Sequence, residues 1–536
     1  MSARDWSAVE ARLRWERRPD GQVLRCFAER PAGLHPMLAS AAAQRPDAEA
    51  LVCGDRRLSW RDVEAHSAAL AGAMASAGVT AGDRVAMLLG NGAAFVLVLF
   101  AAARLGAIAV PISPREQKVG VAYVIEDCGA SALFYEFEFA HAVPDASSLR
   151  LVVDVDAPDF SRLLDTPAAP AAPPGEEAAA VILYTSGTTG RPKGAVLTHR
   201  GLIHSTLNYV HCMETGPGDR HLVAVPMSHV TGLVASITTA VAAQAAMIVL
   251  RSFSARRFLE LAEAERITHT VLVPAMYNLC LLESSFPGRD LSAWRLGGYG
   301  GAPMPEPSIA RLAEILPNLG LMNLYGATET TSPAVMMPPA LAVSRRQAVG
   351  LPAPGARILI MDNDEREVPR GEVGEIWIGG TLLADGYWNN PQATASEFVG
   401  GFWRSGDLGT MDADGFVHVH DRKKDMINRG GYKIFSAEVE SLLMACPGVA
   451  EAAVVGRPCD VMGERVHAVV VLAPEAPDVT TRELRGKLKA TLADYKLPET
   501  WTVTRDPLPR NPNGKVLKRV LRDALAPYRH GLAVDD

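Results

Sequence analysis

No Cys-x-x-Cys pair occurs anywhere in the 536 residues, and the seven cysteines (Cys26, Cys53, Cys128, Cys212, Cys280, Cys446 and Cys459) are an odd number spread along the chain. A disulfide framework and a zinc site are therefore not expected, and a reducing cytoplasm is the expected compartment. There is no basic excess either: Lys and Arg total 53 against 60 Asp and Glu, a net charge of −7. That argues against a general nucleic-acid binder. An anionic ligand would have to be met by local groups rather than by the field of the whole molecule. The opening segment, MSARDWSAVEARLRWERRP, is charged throughout and has no apolar run, so no secretory signal is expected. One stretch, Gly232–Leu250, carries no charge, but it contains Ser236, Thr238, Thr239 and Gln244 and has no basic cluster before it. It reads as a buried helix running into a strand, not as a membrane span.

What is present is an α/β pattern. The length calls for at least two domains, and the 48% hydrophobic and 21% charged residues are an ordinary globular balance. Residues 1–34 read as an N-terminal extension, helical over the first thirty, where Arg and Glu interleave. From His35 onward helices alternate with short, wholly apolar strands. The spacing predicts a helix over 65–77, a strand over 84–89, a helix over 93–105 and a strand over 108–110. Such alternation implies mostly parallel sheets covered by helices. Pro167–Glu177, rich in Pro and Ala, reads as a surface connection between two sheets. Beyond Val373 the pattern turns to alternation, in 374–378 and 415–419, which indicates an antiparallel β-subdomain. The final stretch predicts a small α+β domain with two helices.

The sharpest motif is Tyr184-Thr185-Ser186-Gly187-Thr188-Thr189-Gly190-Arg191-Pro192-Lys193-Gly194, following the apolar run 180–183. Its glycines allow close backbone approach, its hydroxyls and N–H groups can donate to phosphate oxygens, and Lys193 adds a compact positive charge. It is not a Walker A loop, because the Lys is followed by Gly194 rather than Ser or Thr. The segment resembles the signature of the adenylate-forming superfamily, which includes acyl-CoA synthetases, firefly luciferase and the adenylation domains of peptide synthetases. The resemblance runs from about His35 to about Arg522, with later motifs in the expected order, and it is strongest toward bacterial acyl-CoA synthetases.

The resemblance implies a fold: a large N-terminal domain of helix-covered, mostly parallel sheets plus a β-subdomain (35–423), and a small mobile α+β domain (424–536). It also implies roles. In Asn323-Leu324-Tyr325-Gly326-Ala327-Thr328-Glu329, Tyr325 would pack on adenine, Asn323 would face its amino edge, Thr328 would contact phosphate, and Glu329 would hold Mg²⁺ with Thr185. Gly300-Gly301-Ala302-Pro303 resembles the loop on the other adenine face. Asp407 would accept both ribose hydroxyls, and Arg422 would add a second ribose contact. Lys424 matches the hinge. Lys515, in Asn511-Pro512-Asn513-Gly514-Lys515, matches the adenylation lysine and is expected, with Lys193 and His229, among the catalytic residues. Arg429-Gly430-Gly431-Tyr432 resembles the strand beside a pantetheine tunnel, with His229 at its mouth. Many relatives of the plant and luciferase types carry Lys at the positions of Asn428 and Gly430, so those lysine contacts do not carry over.

The acyl pocket is expected from His229, Val230, Val273, Tyr277, Tyr299, Gly300 and Tyr325. These segments hold no Arg or Lys for a second carboxylate and no Asp for an amino group. An apolar monocarboxylic acid, fatty or aryl, is therefore expected. The expected reaction uses ATP, Mg²⁺ and coenzyme A to make an acyl-adenylate and then a thioester. Expected partners are these small molecules, with a homodimer admitted and nucleic acid and membrane spans not expected. The alternatives are a ligase that loads an acyl carrier protein, a luciferase-like oxygenase, and a non-catalytic binding module of the same fold.

Overall fold

The computed structural model describes residues 5–172, 174–185, 191–510 and 516–528. The chain divides into two compact units. The first comprises Met1–Met304, Ser308–Ile358 and Trp377–Arg404, and the second Pro305–Pro307, Leu359–Ile376 and Ser405–Asp536.

Two large sheets form most of the first unit. The nine-stranded sheet runs, in spatial order, Leu351–Pro352, Val335–Met336, Gly320–Tyr325, Leu296–Gly300, His269–Leu272, Arg220–Val223, Ala246–Val249, Glu49–Cys53 and Arg56–Ser59. Its central strands are parallel, and antiparallel partners close both edges. The six-stranded sheet runs Lys193–Thr198, Ala179–Thr185, Ile108–Pro111, Arg84–Leu88, Ala132–Tyr135 and Leu151–Asp154, parallel except for its first pair. Strands such as Ala246–Val249 are buried at every residue, which is why they read as unbroken apolar runs.

The helix Ala93–Leu105 is as expected and almost wholly buried. It ends where Gly106 turns left-handed at φ 70°, a conformation that costs glycine little. The helix expected over 65–77 begins earlier, at Trp60, because Ser59 and Asp62 form a reciprocal capping box. The uncharged stretch is a buried helix followed by the strand Ala246–Val249, but its first part, Thr231–Thr238, is wound as a π-helix. Gly232 sits tight against the preceding chain there: a Cβ on it would lie 2.2 Å from the Pro226 carbonyl oxygen.

Three expectations are corrected. Residues 5–30 are not mainly helical. Beyond a short helix, Ser7–Glu10, they form an antiparallel hairpin, Leu13–Arg17 with Val23–Phe27. Leu24, Cys26 and Phe27 are buried, and Arg30 bridges Glu16 and Glu176 at 2.7 and 2.9 Å. A period-two apolar pattern around a Pro-Asp-Gly turn outweighed the charged composition. The Pro167–Glu177 connection joins two strands of one sheet, Leu151–Asp154 and Ala179–Thr185, not two sheets. It is fixed on the helices it crosses: Ala169 N donates to the Ala68 carbonyl and Ala172 N to that of Arg104. Residues 374–380 show no alternation, since every residue of that strand is buried.

The second unit carries the sheet Tyr432–Ile434, Ile427–Arg429, Gly463–Leu472 and Val449–Cys459, with Thr500–Thr504 parallel to Gly463–Leu472. The helices Ser436–Met444 and Thr481–Lys489 pack Val439, Leu443, Leu484 and Leu488 with Val454, Val466 and Val470 into its core. A further helix spans Lys518–Asp523. Among the described residues no helix is long and apolar enough to cross a membrane.

Candidate active site

The strands Ala179–Thr185 and Lys193–Thr198 pair antiparallel, so Thr185 faces Lys193 across the pair. The base of this hairpin is braced. The Tyr184 hydroxyl donates to Asp127 at 2.5 Å, and Trp388 N donates to the Gly194 carbonyl. A Cβ on Gly194 would come within 2.8 Å of the Ile182 side chain, so the close approach of the strands requires glycine there. Ser186, Gly187, Thr188, Thr189 and Gly190 lie outside the described residues, as does Lys515.

The strands Leu296–Gly300 and Gly320–Tyr325 lie side by side and parallel, with Tyr299 opposite Asn323 and Gly300 opposite Leu324. Both therefore end at the same carboxyl edge, where parallel sheets open their ligand crevices. Gly301, Ala302 and Pro303 follow the first strand and are exposed; Asn323 and Tyr325 close the second and are partly exposed. Gly326 leads into the short turn Thr328–Thr330, which turns Glu329 inward.

Glu329 is the buried centre of a polar cluster within the first unit. Its Oε1 lies 3.0 Å from the Tyr387 hydroxyl and 3.5 Å from that of Thr185. Burial pushes its carboxyl above the usual range, opposed by the Tyr387 hydrogen bond and the nearby Lys193 charge. The Tyr387 hydroxyl lies 2.6 Å from Glu397 Oε2, and Glu397 Oε1 lies 2.5 Å from Lys193 Nζ. Lys193 Nζ also stands 4.2 Å above the Tyr387 ring. Tyr387 and Glu397 were not among the residues expected from sequence. No spacing signal marks them, because only the chain reversal through the helix Pro391–Glu397 brings both to Lys193.

The donor set suits Mg²⁺. A hard carboxylate and a hydroxyl stand side by side, and Mg²⁺ commonly takes one or two protein carboxylates and leaves its other positions to water and substrate phosphates. Among the described residues no group of three or more His, Cys, Asp or Glu is placed to hold a metal on its own.

The acyl-pocket residues are dispersed in character. His229 and Val230 are half-buried at the start of the π-helical turn. Val273 is exposed, while Tyr299 and Tyr277 are buried. The Tyr277 hydroxyl is donated to the Gly298 carbonyl at 3.0 Å, and its ring stacks on Trp294. Gly300 permits a close strand approach, since a Cβ there would lie 2.3 Å from the Leu324 carbonyl oxygen.

In the second unit Asp407 and Arg422 are directly paired strand residues, with Arg422 Nε 2.7 Å from Asp407 Oδ1. Lys424 follows in the turn before Ile427–Arg429, and its carbonyl accepts from Arg522 at 3.4 Å. Gly430 and Gly431 are not in a strand, contrary to expectation. They form the two-residue turn between Ile427–Arg429 and Tyr432–Ile434, at φ 58° and 93°. Positive φ at both central residues is what a tight hairpin of matching twist demands.

The family described as AMP-binding enzyme matches residues 38–388, and the AMP-binding enzyme C-terminal domain matches 438–515. The chain belongs to the AMP-binding enzymes. It is 36% identical over 508 residues to a fatty acid–[acyl-carrier-protein] ligase, ScoC, of Streptomyces coeruleorubidus, covering 90% of this chain and 94% of that one. It is 35% identical over 481 residues to a feruloyl-CoA synthase of an Amycolatopsis species, covering 90% and 96%. Among solved structures it resembles the o-succinylbenzoate CoA synthetase MenE of Bacillus subtilis in complex with ATP and magnesium, at 30% identity and TM-score 0.81 over 91% of this chain and 98% of that one. This AMP-binding enzyme is thus an AMP-forming acid–thiol ligase that uses ATP and Mg²⁺.

Proposed function

We propose that the protein activates an apolar monocarboxylic acid, fatty or aryl, as its acyl-adenylate and transfers the acyl group to coenzyme A in the cytoplasm. The observation that carries this reading is the joined cluster of Thr185, Glu329 and Lys193: a cation ligand pair and a fixed ammonium beside the hairpin that bears the expected phosphate loop.

In the first step a carboxylate oxygen of the acid bonds to the α-phosphorus of ATP, and the bond from that phosphorus to the β-phosphate bridging oxygen breaks, releasing pyrophosphate. Mg²⁺, when bound, neutralises charge on the phosphates. Lys193, Thr188 and Thr189 hold the phosphate oxygens, and Lys515 serves the α-phosphate and the acid carboxylate. Thr328 adds a phosphate contact. Protein nucleophiles are not needed; positioning and charge neutralisation supply the rate. The Tyr325 ring and the segment Gly301-Ala302-Pro303 take the two faces of adenine, and Asn323 its amino edge. Asp407 and Arg422 take the ribose. In the second step the CoA sulfur bonds to the acyl carbon, AMP departs with the electron pair of its oxygen, and the thiol proton passes to solvent. Lys424 is the hinge on which residues 424–536 turn between the steps, and the Gly430-Gly431 turn and His229 border the thiol's path.

The relative that loads a carrier protein supports a second reading, in which the acceptor is a phosphopantetheinyl carrier protein. The deciding experiment measures pyrophosphate release over a panel of fatty and aryl acids, then supplies either CoA or a holo-carrier protein. Acid-dependent pyrophosphate release followed by thioester with CoA supports the proposal. Thioester only on the carrier protein replaces the acceptor, and no pyrophosphate with any acid leaves a binding module.

A further inference from the structure

The clamp on Lys193 is more elaborate than fixing a surface lysine requires. A lysine ammonium has three donors on a flexible four-carbon stem and is poorly positioned unless something holds it. Here one donor is taken by Glu397 Oε1 at 2.5 Å, and the Tyr387 ring lies 4.2 Å beneath the charge. The Lys193 side chain is only 11% exposed and Glu397 30%, so solvent screens the pair less than an open surface bridge. Donors remain for a ligand's oxygens.

Tyr387 links this clamp to Glu329. Its hydroxyl has one proton and two carboxylate neighbours, Glu397 Oε2 at 2.6 Å and Glu329 Oε1 at 3.0 Å. That proton is shared between the two, held mainly by Glu397 over the shorter contact, so Glu397 is fixed while Glu329 keeps acceptor capacity for a cation. The ring also spaces the two carboxylates, one committed to the lysine and the other to the cation position.

The local chain is built to deliver these two side chains. Asn390 caps the helix Pro391–Glu397 by accepting from Ala393 N, and Pro391 takes its first turn. Thr394 Oγ1 accepts from Tyr387 N, which ties the helix to the tyrosine. Gly386, at φ 113°, brings Tyr387 in, and a Cβ there would lie 2.5 Å from Thr394. Glu397 is the last residue of that helix, where the dipole disfavours a carboxylate. Its placement serves Lys193 rather than the helix.

We propose that Glu397, tethered by Tyr387, is a positioning residue that aims the Lys193 ammonium at the nucleotide phosphates during adenylation and is idle during thioester formation. This rests on the assignment of Lys193 to phosphate in the proposed function. Loss of the clamp lets the ammonium wander by an ångström or more, which lowers the adenylation rate by about tenfold or more.

The test measures acid-dependent pyrophosphate release and, separately, thioester formation from presynthesised acyl-AMP and CoA. It compares wild type with Glu397→Gln, Lys193→Met and the double variant. The expected result is a tenfold or greater fall in kcat for pyrophosphate release in Glu397→Gln, with the melting temperature and the thioester half-reaction unchanged. In the Lys193→Met background Glu397→Gln should cost nothing further, since two residues acting as one unit are non-additive. Tyr387→Phe, which keeps the ring and removes the tether, should lower the same rate and add nothing to Glu397→Gln. An unchanged rate in Glu397→Gln, equal loss of both half-reactions, or the same fold-loss in the Lys193→Met background overturns the inference while the functional reading stands. A wild-type protein that releases no pyrophosphate with any acid overturns the functional reading itself, and this inference with it.

Discussion

Arg422 Nε stands 2.7 Å from Asp407 Oδ1 across two paired strands, with the carboxylate side chain 8% exposed and the guanidinium 39%. The aspartate is thus the sheltered member, fixed in direction by an arginine that retains access to water. Its backbone N–H is taken by the Ser405 hydroxyl at 3.0 Å, which adds to the rigidity. A carboxylate so held fits the role proposed for it, accepting the two hydroxyls of a ribose. Asp407→Ala should therefore weaken ATP binding by more than a hundredfold, since each charge-assisted hydrogen bond contributes about 1.5–3 kcal/mol. The fold should survive, because the arginine left behind can be hydrated. Calorimetric ATP affinity unchanged from wild type would remove Asp407 from the nucleotide site.

The sequence was most legible where local chemistry decides the outcome. Ala93–Leu105 is apolar almost throughout and ends on a glycine, so the helix and its end were readable to the residue. The strand leading to Thr185 was readable because the apolar run 180–183 precedes the special residues, but its antiparallel pairing with Lys193–Thr198 was not. The first thirty residues misled because their burial is decided by distant partners, such as Glu176 on Arg30 and His204 on Phe27. Tyr387 and Glu397 were invisible for a related reason. Neither has a local pattern, and their meaning comes from Lys193 and Glu329, which are remote in the chain.

The Arg30 bridge makes the N-terminal hairpin sensitive to acid. Hydrogen bonds from Arg30, the largest effect, hold the Glu16 carboxyl down to about 2 from its ordinary 4.5. A depressed carboxyl stabilises the folded state above its unfolded pKa, and that contribution is lost as pH falls from about 4.5 toward 2. Arg30→Met should speed amide exchange across Leu13–Phe27 at neutral pH. It should also shrink the drop in melting temperature between pH 4.5 and pH 3 relative to wild type. An equal drop in both proteins would mean that the bridge does not hold the hairpin.

The Gly430-Gly431 turn offers a way to separate the half-reactions. A Cβ on Gly431 would meet nothing within 4 Å, so a larger side chain there does not clash with the protein itself. Its φ of 93° does impose strain, about 1–3 kcal/mol for a residue with a side chain. Gly431→Leu should fold with a lowered melting temperature, keep acid-dependent pyrophosphate release and lose thioester formation. Equal impairment of the two half-reactions would contradict the placement of this turn beside the thiol's path.

Lys515 should show the converse. Removing one preorganised donor from a site of charge crowding typically costs about 10²–10³ in rate. Lys515→Ala should lose acyl-AMP formation by that factor yet convert presynthesised acyl-AMP and CoA to thioester at close to the wild-type rate. Loss of both half-reactions would give the lysine a shared role, and loss of neither would remove it from the catalytic residues.

In the proposed reaction the acid is carried through a bound acyl-adenylate to a thioester. A single-turnover experiment with wild-type protein in excess of acid, with ATP and Mg²⁺ and without CoA, tests it most directly. Mass spectrometry of the quenched reaction should find acyl-AMP and one equivalent of pyrophosphate, and a chase with CoA should convert that acyl-AMP to acyl-CoA and AMP. Formation of ADP and phosphate, or acyl-AMP that persists through the CoA chase, would contradict the account.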